Sequence, residues 1–272
     1  MILIKCKPYL LVVYSFCIRF INNLSMLFMK KIHLFFCLVL TACSPSNQPT
    51  ASQIIDKSVS TYGWDQEAFS ISFDFRDYHY DLIRKPSFYS YQRLTEKEGI
   101  LIRDVMTSKA KLKRYQDDEQ IVLQDSLQEV YSNALNAVMY FFQLPKPLKD
   151  GAVISELLDT TNIAEKAYWT LKISFTEQGG GSDFQDEYRY WIDKENYQIA
   201  YLAYNYLTDG GGTRFRSAKN IRKQKGFIFQ DYINYRPKAK FISLDSLPLL
   251  FEQKKLIEVS QIENKNIQIL KR

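Results

Sequence analysis

The sequence predicts an α+β protein, mainly β, in which an antiparallel sheet wraps one or two helices. Short runs of alternating apolar and polar residues flank one long apolar helix pattern. They follow one another too closely for crossover helices, so antiparallel meander connections fit. Aromatic residues make up 15% of the 272, with 19 Tyr and 18 Phe, a load that pleated surfaces pack well. The 46% hydrophobic and 24% charged content is that of a folded chain, and without a linker or an internal repeat it reads as one domain over 51–272.

Residues 1–42 read as a leader. Lys30 and Lys31 precede an apolar run from Ile32 to Leu40, the length of a secretory signal and far short of a spanning helix. Leu40-Thr41-Ala42-Cys43 follows and resembles the bacterial lipobox. The expectation is a cut before Cys43 and a diacylglycerol on its thiol, with acyl chains holding the protein to a membrane. An ordinary signal peptide and a transmembrane anchor are the alternatives. The stretch before Met26 is a second apolar run broken by Pro8 and Arg19, so translation is expected to start at Met26 or Met29. A long n-region or a second membrane segment is the other reading.

Residues 43–50 are polar and proline-containing, a flexible tether. They carry no acidic cluster, which favours an outer-membrane anchor facing the periplasm. The leader holds Lys5, Lys7, Arg19, Lys30 and Lys31 and no acid, so the net charge of +6 falls to 31 basic against 30 acidic residues in the body. A near-neutral body is no electrostatic nucleic-acid binder. Cys6, Cys17 and Cys37 lie in the leader. Beyond Cys43 no thiol remains for a disulfide or a metal.

Along the body, Ile55, Val59 and Tyr62 predict a helix over Ser52–Tyr62, stopped by Gly63. Phe69, Ile71, Phe73 and Phe75 alternate with Ser70, Ser72, Asp74 and Arg76 as in a strand with one apolar face. Further strands are expected in YHYDLI, SFYSYQR, GILIRDV, AKLKRY and QIVL. The clearest helix starts at Ser126, with Ser126 and Glu129 as a capping box, and ends at Pro145 and Pro147. Leu127, Val130, Tyr131, Ala134, Val138 and Phe141 form its apolar stripe, widened by Leu135, Met139 and Phe142, so most of its surface should be buried against the sheet. Strands resume in YWTLKISF, DEYRYWID, QIAYLAYNYL, TRFRSAK and GFIFQDYINY. A short helix with Pro248 in its first turn and a last strand in LIEVSQI close the chain.

Strands, one apolar helix and more strands behind a lipobox resemble the half-barrel fold of the Lol lipoprotein carriers and receptors (LolA and LolB). Within that fold, FRDYHY, SNALNAVMYFFQLP, FTEQGGGSDFQDEYRYWID, LAYNY, GGTRFRSAKNIR and GFIFQDYINY, over roughly 55–236, resemble an uncharacterised family of bacterial lipoproteins. The resemblance implies a strongly curved sheet around an apolar cavity, an envelope location and, by looser analogy, a lipid-type ligand. It implies no activity.

The body's only histidine is His79, and no G-x-S-x-G precedes a helix, so catalysis by a Ser-His or Cys-His site is not expected. One histidine and no thiol also argue against zinc or iron, and no cofactor is expected. Asp117 to Glu119 read as a solvated turn rather than a calcium loop. Gly179–Gly181 and Gly210–Gly212 precede strands and not helices, so they read as hairpin tips rather than phosphate cradles, together able to rim a cavity mouth.

Charged residues inside strands are the more informative. Asp74 and Arg76 share a face, as do Arg214 and Arg216; Arg84 and Arg93 recur nearby, and Asp231 sits among aromatics. Facing inward, they must pair or bind. Structural Arg–Asp pairing is one outcome. A second is a ligand site of Arg76, Tyr78, Arg84, Trp191, Arg214, Arg216 and Asp231, gripping an anionic group with its apolar part against Tyr80 and the long helix, and a third is solvent exposure with no role.

The expected function is a non-catalytic, membrane-anchored envelope lipoprotein that takes a lipid, a lipoprotein tail or another amphiphile. A structural lipoprotein docking another envelope protein is the alternative. An enzyme using Asp183 with Asp186, or Asp231 with Glu187, would need those pairs across a cleft.

Overall fold

A computed structural model describes residues 48–178 and 185–270. The leader, Cys43, most of the tether, Gly179–Gly181 and Asp183 lie outside the described residues. The unit that begins at Pro49 holds every element below.

Helix α1 spans Ala51–Tyr62. It starts one residue earlier than predicted because Thr50, not Ser52, opens it: Thr50 accepts from the Gln53 N–H while the Gln53 side chain accepts from the Thr50 N–H, a reciprocal cap. Gly63 ends it in the left-handed region, φ 74°. A Cβ there would lie 2.2 Å from the Gly226 carbonyl oxygen, so only glycine fits.

Strands β1 (Phe69–Phe75), β2 (Tyr78–Lys85), β3 (Phe88–Lys97), β4 (Ile100–Thr107), β5 (Ala110–Gln116) and β6 (Glu119–Ile121) follow as a meander. Helix α2 (Asp125–Phe142) separates them from β7 (Val153–Leu157), β8 (Thr161–Ile163), β9 (Lys166–Phe175), β10 (Glu187–Asp193), β11 (Ile199–Tyr206), β12 (Gly212–Gln224) and β13 (Phe227–Arg236). A short helix α3 (Leu247–Glu252) precedes β14 (Ile257–Ile262) and β15 (Lys265–Leu270). Strands β7, β8 and β15 were not expected from the sequence.

Every pairing is antiparallel. One sheet runs β15-β1-β2-β3-β4-β5-β6 and the other β14-β13-β12-β11-β10-β9-β7, with β8 also on β9. The fold class is therefore the one predicted: mainly β, antiparallel, with helices against it. The last two strands lie one on the edge of each sheet, separated only by Glu263 and Asn264.

The inner faces of both sheets share one core with the helices. Trp64 is fully buried at its centre, edge-on to Phe227 at 5.0 Å, Phe229 at 6.0 Å and Phe142 at 6.0 Å. Phe142 stacks on Phe73 at 3.7 Å. These rings join β1, β13 and the end of α2, and truncating a ring this buried costs about 3–5 kcal/mol. Tyr62 bridges α1 to the second sheet: its hydroxyl donates to Gln230 at 2.5 Å and accepts from the Ile199 N–H at 3.0 Å.

Two expectations for α2 are corrected. The helix begins at Asp125, so Ser126 is inside it and no side-chain cap forms at Gln124. The buried seam is Leu135, Met139 and Phe142; Leu127 and Val130 are 43% and 59% exposed. The helix carries two apolar stripes, and the narrower one faces the core.

A second core lies on the other face of the second sheet, under the segment that carries α3. Trp191, Phe215, Leu244 and Leu247 fill it. Arg189 holds this segment down with two bonds to Asp245, at 2.7 and 3.1 Å.

Candidate functional site

A cleft of about 940 Å³ opens beside the C-terminal half of α2. Strand alternation sets its walls. On β2, Arg84 shares a face with Tyr80 and Leu82; across the ladder Arg84 faces Tyr89 and Leu82 faces Tyr91. On the second sheet, Tyr188 of β10 pairs with Tyr204 of β11, and Tyr204 with Arg214 of β12. Tyr188 and Tyr204 stack at 5.2 Å, and Phe175 meets Tyr188 edge-on at 5.8 Å. Phe141 and Tyr140 of α2 close this aromatic wall, with Phe141 at 5.7 Å from Tyr204.

At the other end the lining is cationic. Arg84 donates from Nε to Gln143 Oε1 at 2.8 Å and from Nη2 to the Tyr91 hydroxyl at 2.9 Å. Gln143, which is buried, donates to the same hydroxyl at 3.1 Å and to the Met139 carbonyl at 2.8 Å. Lys146, in the turn after α2, gives one N–H to the Trp64 carbonyl at 2.9 Å. Partial burial, then the nearby Arg84 and Lys149 charges, hold the Lys146 pKa below the usual ammonium range. Burial pushes the Tyr91 pKa up, and that of Tyr140 up to about 12.

Arg84 and Arg214 line the cleft. Arg214 stacks on Tyr206 at 5.0 Å and donates to the Thr213 carbonyl at 3.0 Å. Arg216 is buried behind the wall, over Phe141 at 3.9 Å and bonded to the Tyr204 hydroxyl at 2.8 Å.

The other candidates lie elsewhere. Arg76 is exposed in the β1–β2 turn, φ 53°, over Phe75, so it does not share a strand face with Asp74. Trp191 faces the second core. Asp231 secures the irregularity in β12: it accepts from Arg222, from Asn220 at 3.2 Å and from the Asn264 N–H at 3.0 Å. Tyr78 lies under Arg93 at 5.2 Å.

Arg93 takes the structural outcome. Asp104 accepts from Arg93 at 2.8 Å and from Arg114 at 2.8 and 2.9 Å, with Tyr131 of α2 over Arg114 at 3.5 Å. These side chains form a ladder across β3, β4 and β5.

Of the candidate catalytic residues, Asp186 lines the cleft, while its suggested partner Asp183 lies outside the described residues. His79 is bonded to Asp74 at 2.6 Å on an exposed strand face. The bond from Asn266, then that from His79, holds the Asp74 pKa below the usual carboxylate range. Asp231 and Glu187 pair with Arg222 and Arg189 instead of with each other. Among the described residues no group of three or more His, Cys, Asp or Glu could hold a metal ion, and no helix is long and apolar enough to cross a membrane. Gly210–Gly212 form a built turn: Gly211 packs against the Tyr206 carbonyl and the Phe241 ring.

The profile of a family of unknown function, DUF6503, matches residues 30–264. The chain belongs to DUF6503. No curated protein matches it. Solved structures similar to this DUF6503 chain include a DUF1329 family protein from Desulfovibrio piger, at 10% identity and a TM-score of 0.42, covering 81% of this chain and 93% of that one. A putative outer membrane lipoprotein-sorting protein domain from Vibrio parahaemolyticus is similar at 8% identity and 0.33, covering 80% and 93%. MucB is similar at 13% identity and 0.25, covering 70% and 67%.

Sequence reading missed Lys146, Gln143 and Trp64. The signal for the first two was present: a glutamine just before the prolines that end α2 and a lysine between them sit where the chain must turn back over the sheet.

Proposed function

We propose that this protein is a non-catalytic lipoprotein of the bacterial envelope, tethered to a membrane through acyl chains on Cys43, whose cleft binds a lipid or another amphiphile. The lipobox supports the tether. The cleft carries the rest of the reading. Its volume is that of a ligand pocket, and it presents an aromatic wall at one end and a few oriented polar groups at the other. Aromatic rings remove an apolar tail from water while the polar groups fix its orientation. The body's only histidine is engaged with Asp74 on an exposed face, which supports a binding role over catalysis.

The test is organic extraction and mass spectrometry of the full chain purified from its own membranes, followed by amphiphile titration. Co-purifying lipid, displaced by the added amphiphile, is the expected result. A protein empty in every preparation and unresponsive to amphiphiles would overturn the reading.

A second reading has one observation in its favour. Val122, Leu127 and Val130 are exposed around the start of α2, a surface that a docked envelope protein could cover. Photocrosslinking from position 130 in cells tests it, and a yield of no protein adduct would argue against it.

A further inference from the structure

The cationic end of the cleft holds more hydrogen-bond donors than the protein uses. Arg84 has five N–H donors, and two are engaged among the described residues. It forms no ion pair there, and neither does Lys146, which spends one of its three N–H groups on Trp64. The Tyr91 hydroxyl accepts twice, from Arg84 and from Gln143. Its oxygen is thereby occupied as an acceptor, and its own hydrogen is left to donate. All three side chains line the same cleft.

The arrangement is rigid. Gln143 is buried and makes three bonds, to Arg84, Tyr91 and its own helix. The guanidinium also lies over the Tyr89 ring at 5.6 Å. Lys146 is fixed by its bond to Trp64, and its backbone N–H by the Gln143 carbonyl at 2.9 Å. Two cations placed close together, partly out of water and without a bonded carboxylate, repel each other unless an anion joins them. Among the described residues none of the cleft's acids is bonded to either cation: Lys149 takes Asp56 at 2.5 Å, Asp150 accepts from the Ala152 N–H, Asp186, also in the lining, is itself partnered, and Asp65 is exposed and acts on Lys146 through its charge alone.

We propose that Arg84, Lys146 and Tyr91 form an oxyanion site, which takes the phosphate or carboxylate group of an amphiphile whose tail lies along the Phe141–Tyr188–Tyr204 wall. This rests on the reading of the cleft as an amphiphile site and adds the sign and chemistry of the polar end. A guanidinium fork with an ammonium beside it matches a tetrahedral or planar oxyanion. It repels a cationic headgroup and gives the hydroxyls of a neutral sugar only weaker hydrogen bonds.

The experiment is calorimetric titration of the full chain, held in phosphatidylcholine nanodiscs, with octyl phosphate, octanoate, octyl glucoside and inorganic phosphate. Octyl phosphate should bind about tenfold or more tighter than octyl glucoside, as expected for charge-assisted bonds. Added salt should weaken octyl phosphate and leave octyl glucoside unchanged. Arg84→Gln and Lys146→Gln should each remove most of that preference, with the loss falling on octyl phosphate far more than on octyl glucoside. The wild-type salt dependence keeps the test decisive should a variant fail to fold.

Equal affinity for octyl phosphate and octyl glucoside, or a preference that survives both substitutions, would overturn the oxyanion site and leave the amphiphile cleft standing. Inorganic phosphate binding as tightly as octyl phosphate would support the oxyanion site and remove the amphiphile. No binding by any probe would overturn both.

Discussion

Asp104 is the point at which the first sheet is most exposed to a single substitution. Its side chain is 1% exposed, and the guanidiniums of Arg93 and Arg114 bonded to it are 8% and 14% exposed. Three charge-assisted bonds end on this one carboxylate. Asp104→Ala deletes it and leaves a buried and a partly buried cation facing each other, with only the Tyr131 and Tyr78 rings beside them. Removing one member of a buried ion network costs about 3–5 kcal/mol, because the stranded charges keep their desolvation penalty. In a domain of this size that lowers Tm by roughly 6–20 °C.

Urea unfolding of wild type and variant measures it: the midpoint should fall with the slope unchanged. The triple variant Arg93→Met, Asp104→Leu, Arg114→Met removes the charges together and should recover most of the loss, short of the ~0.5–2 kcal/mol lost with the Arg114–Tyr131 contact. A loss below about 1 kcal/mol for Asp104→Ala, or a triple variant no better than the single one, refutes the stranded-charge account.

Three more outcomes follow from the same structure. Gly63→Ala puts a methyl group into the Gly226 carbonyl and should cost clearly more than Gly99→Ala, which has a similar φ but open space around it; thermal melts of the pair compare them. Burial raises Tyr140 and Tyr232 to about 12 and holds Tyr62 and Tyr190 well above their ordinary value, against about 10 unfolded. A raised folded pKa stabilises below pH ~10 and that stability is lost as pH climbs through the folded value, so tyrosinate absorbance from these rings should rise only together with alkaline unfolding. Asp245→Ala frees Arg189 from the α3 segment, and limited proteolysis should then cut within 237–256 sooner than in wild type while far-UV circular dichroism stays unchanged; equal cutting rates would refute the pinning role.

How far the sequence could be read follows from what each strand faces. β1 alternates cleanly, and its apolar face was legible, although the pattern ran one residue past the strand into the turn and took Arg76 with it. Arg84 and Arg214 stood out as charges set within apolar strands; Arg216, on the same strand as Arg214, is buried over Phe141 and bonded to Tyr204 instead of lining the cleft. The facing of Trp191 and Asp231 was not legible. β10 and the first six residues of β13 are buried on both sides, and a strand covered on both faces carries no period of two to say which side is which. The seam of α2 was ambiguous for a related reason: both of its apolar stripes have helical spacing, and only contact with Phe73 and Trp64 selects one. β15, with its lysine, asparagine and glutamine, has too weak a pattern to announce a strand whose partner lies almost the whole body away.

That partner has a consequence for how the chain comes to be folded. β1 is among the first parts of the body made, and its Ser70–Ser72 edge is completed by Gln268–Leu270, which emerge after every other strand. Until then Phe69, Ile71 and Phe73 lie on a strand with one open side, a ready template for a neighbouring nascent chain. Loss of β15 would therefore do its damage on β1, where it would show as self-association rather than as a frayed tail.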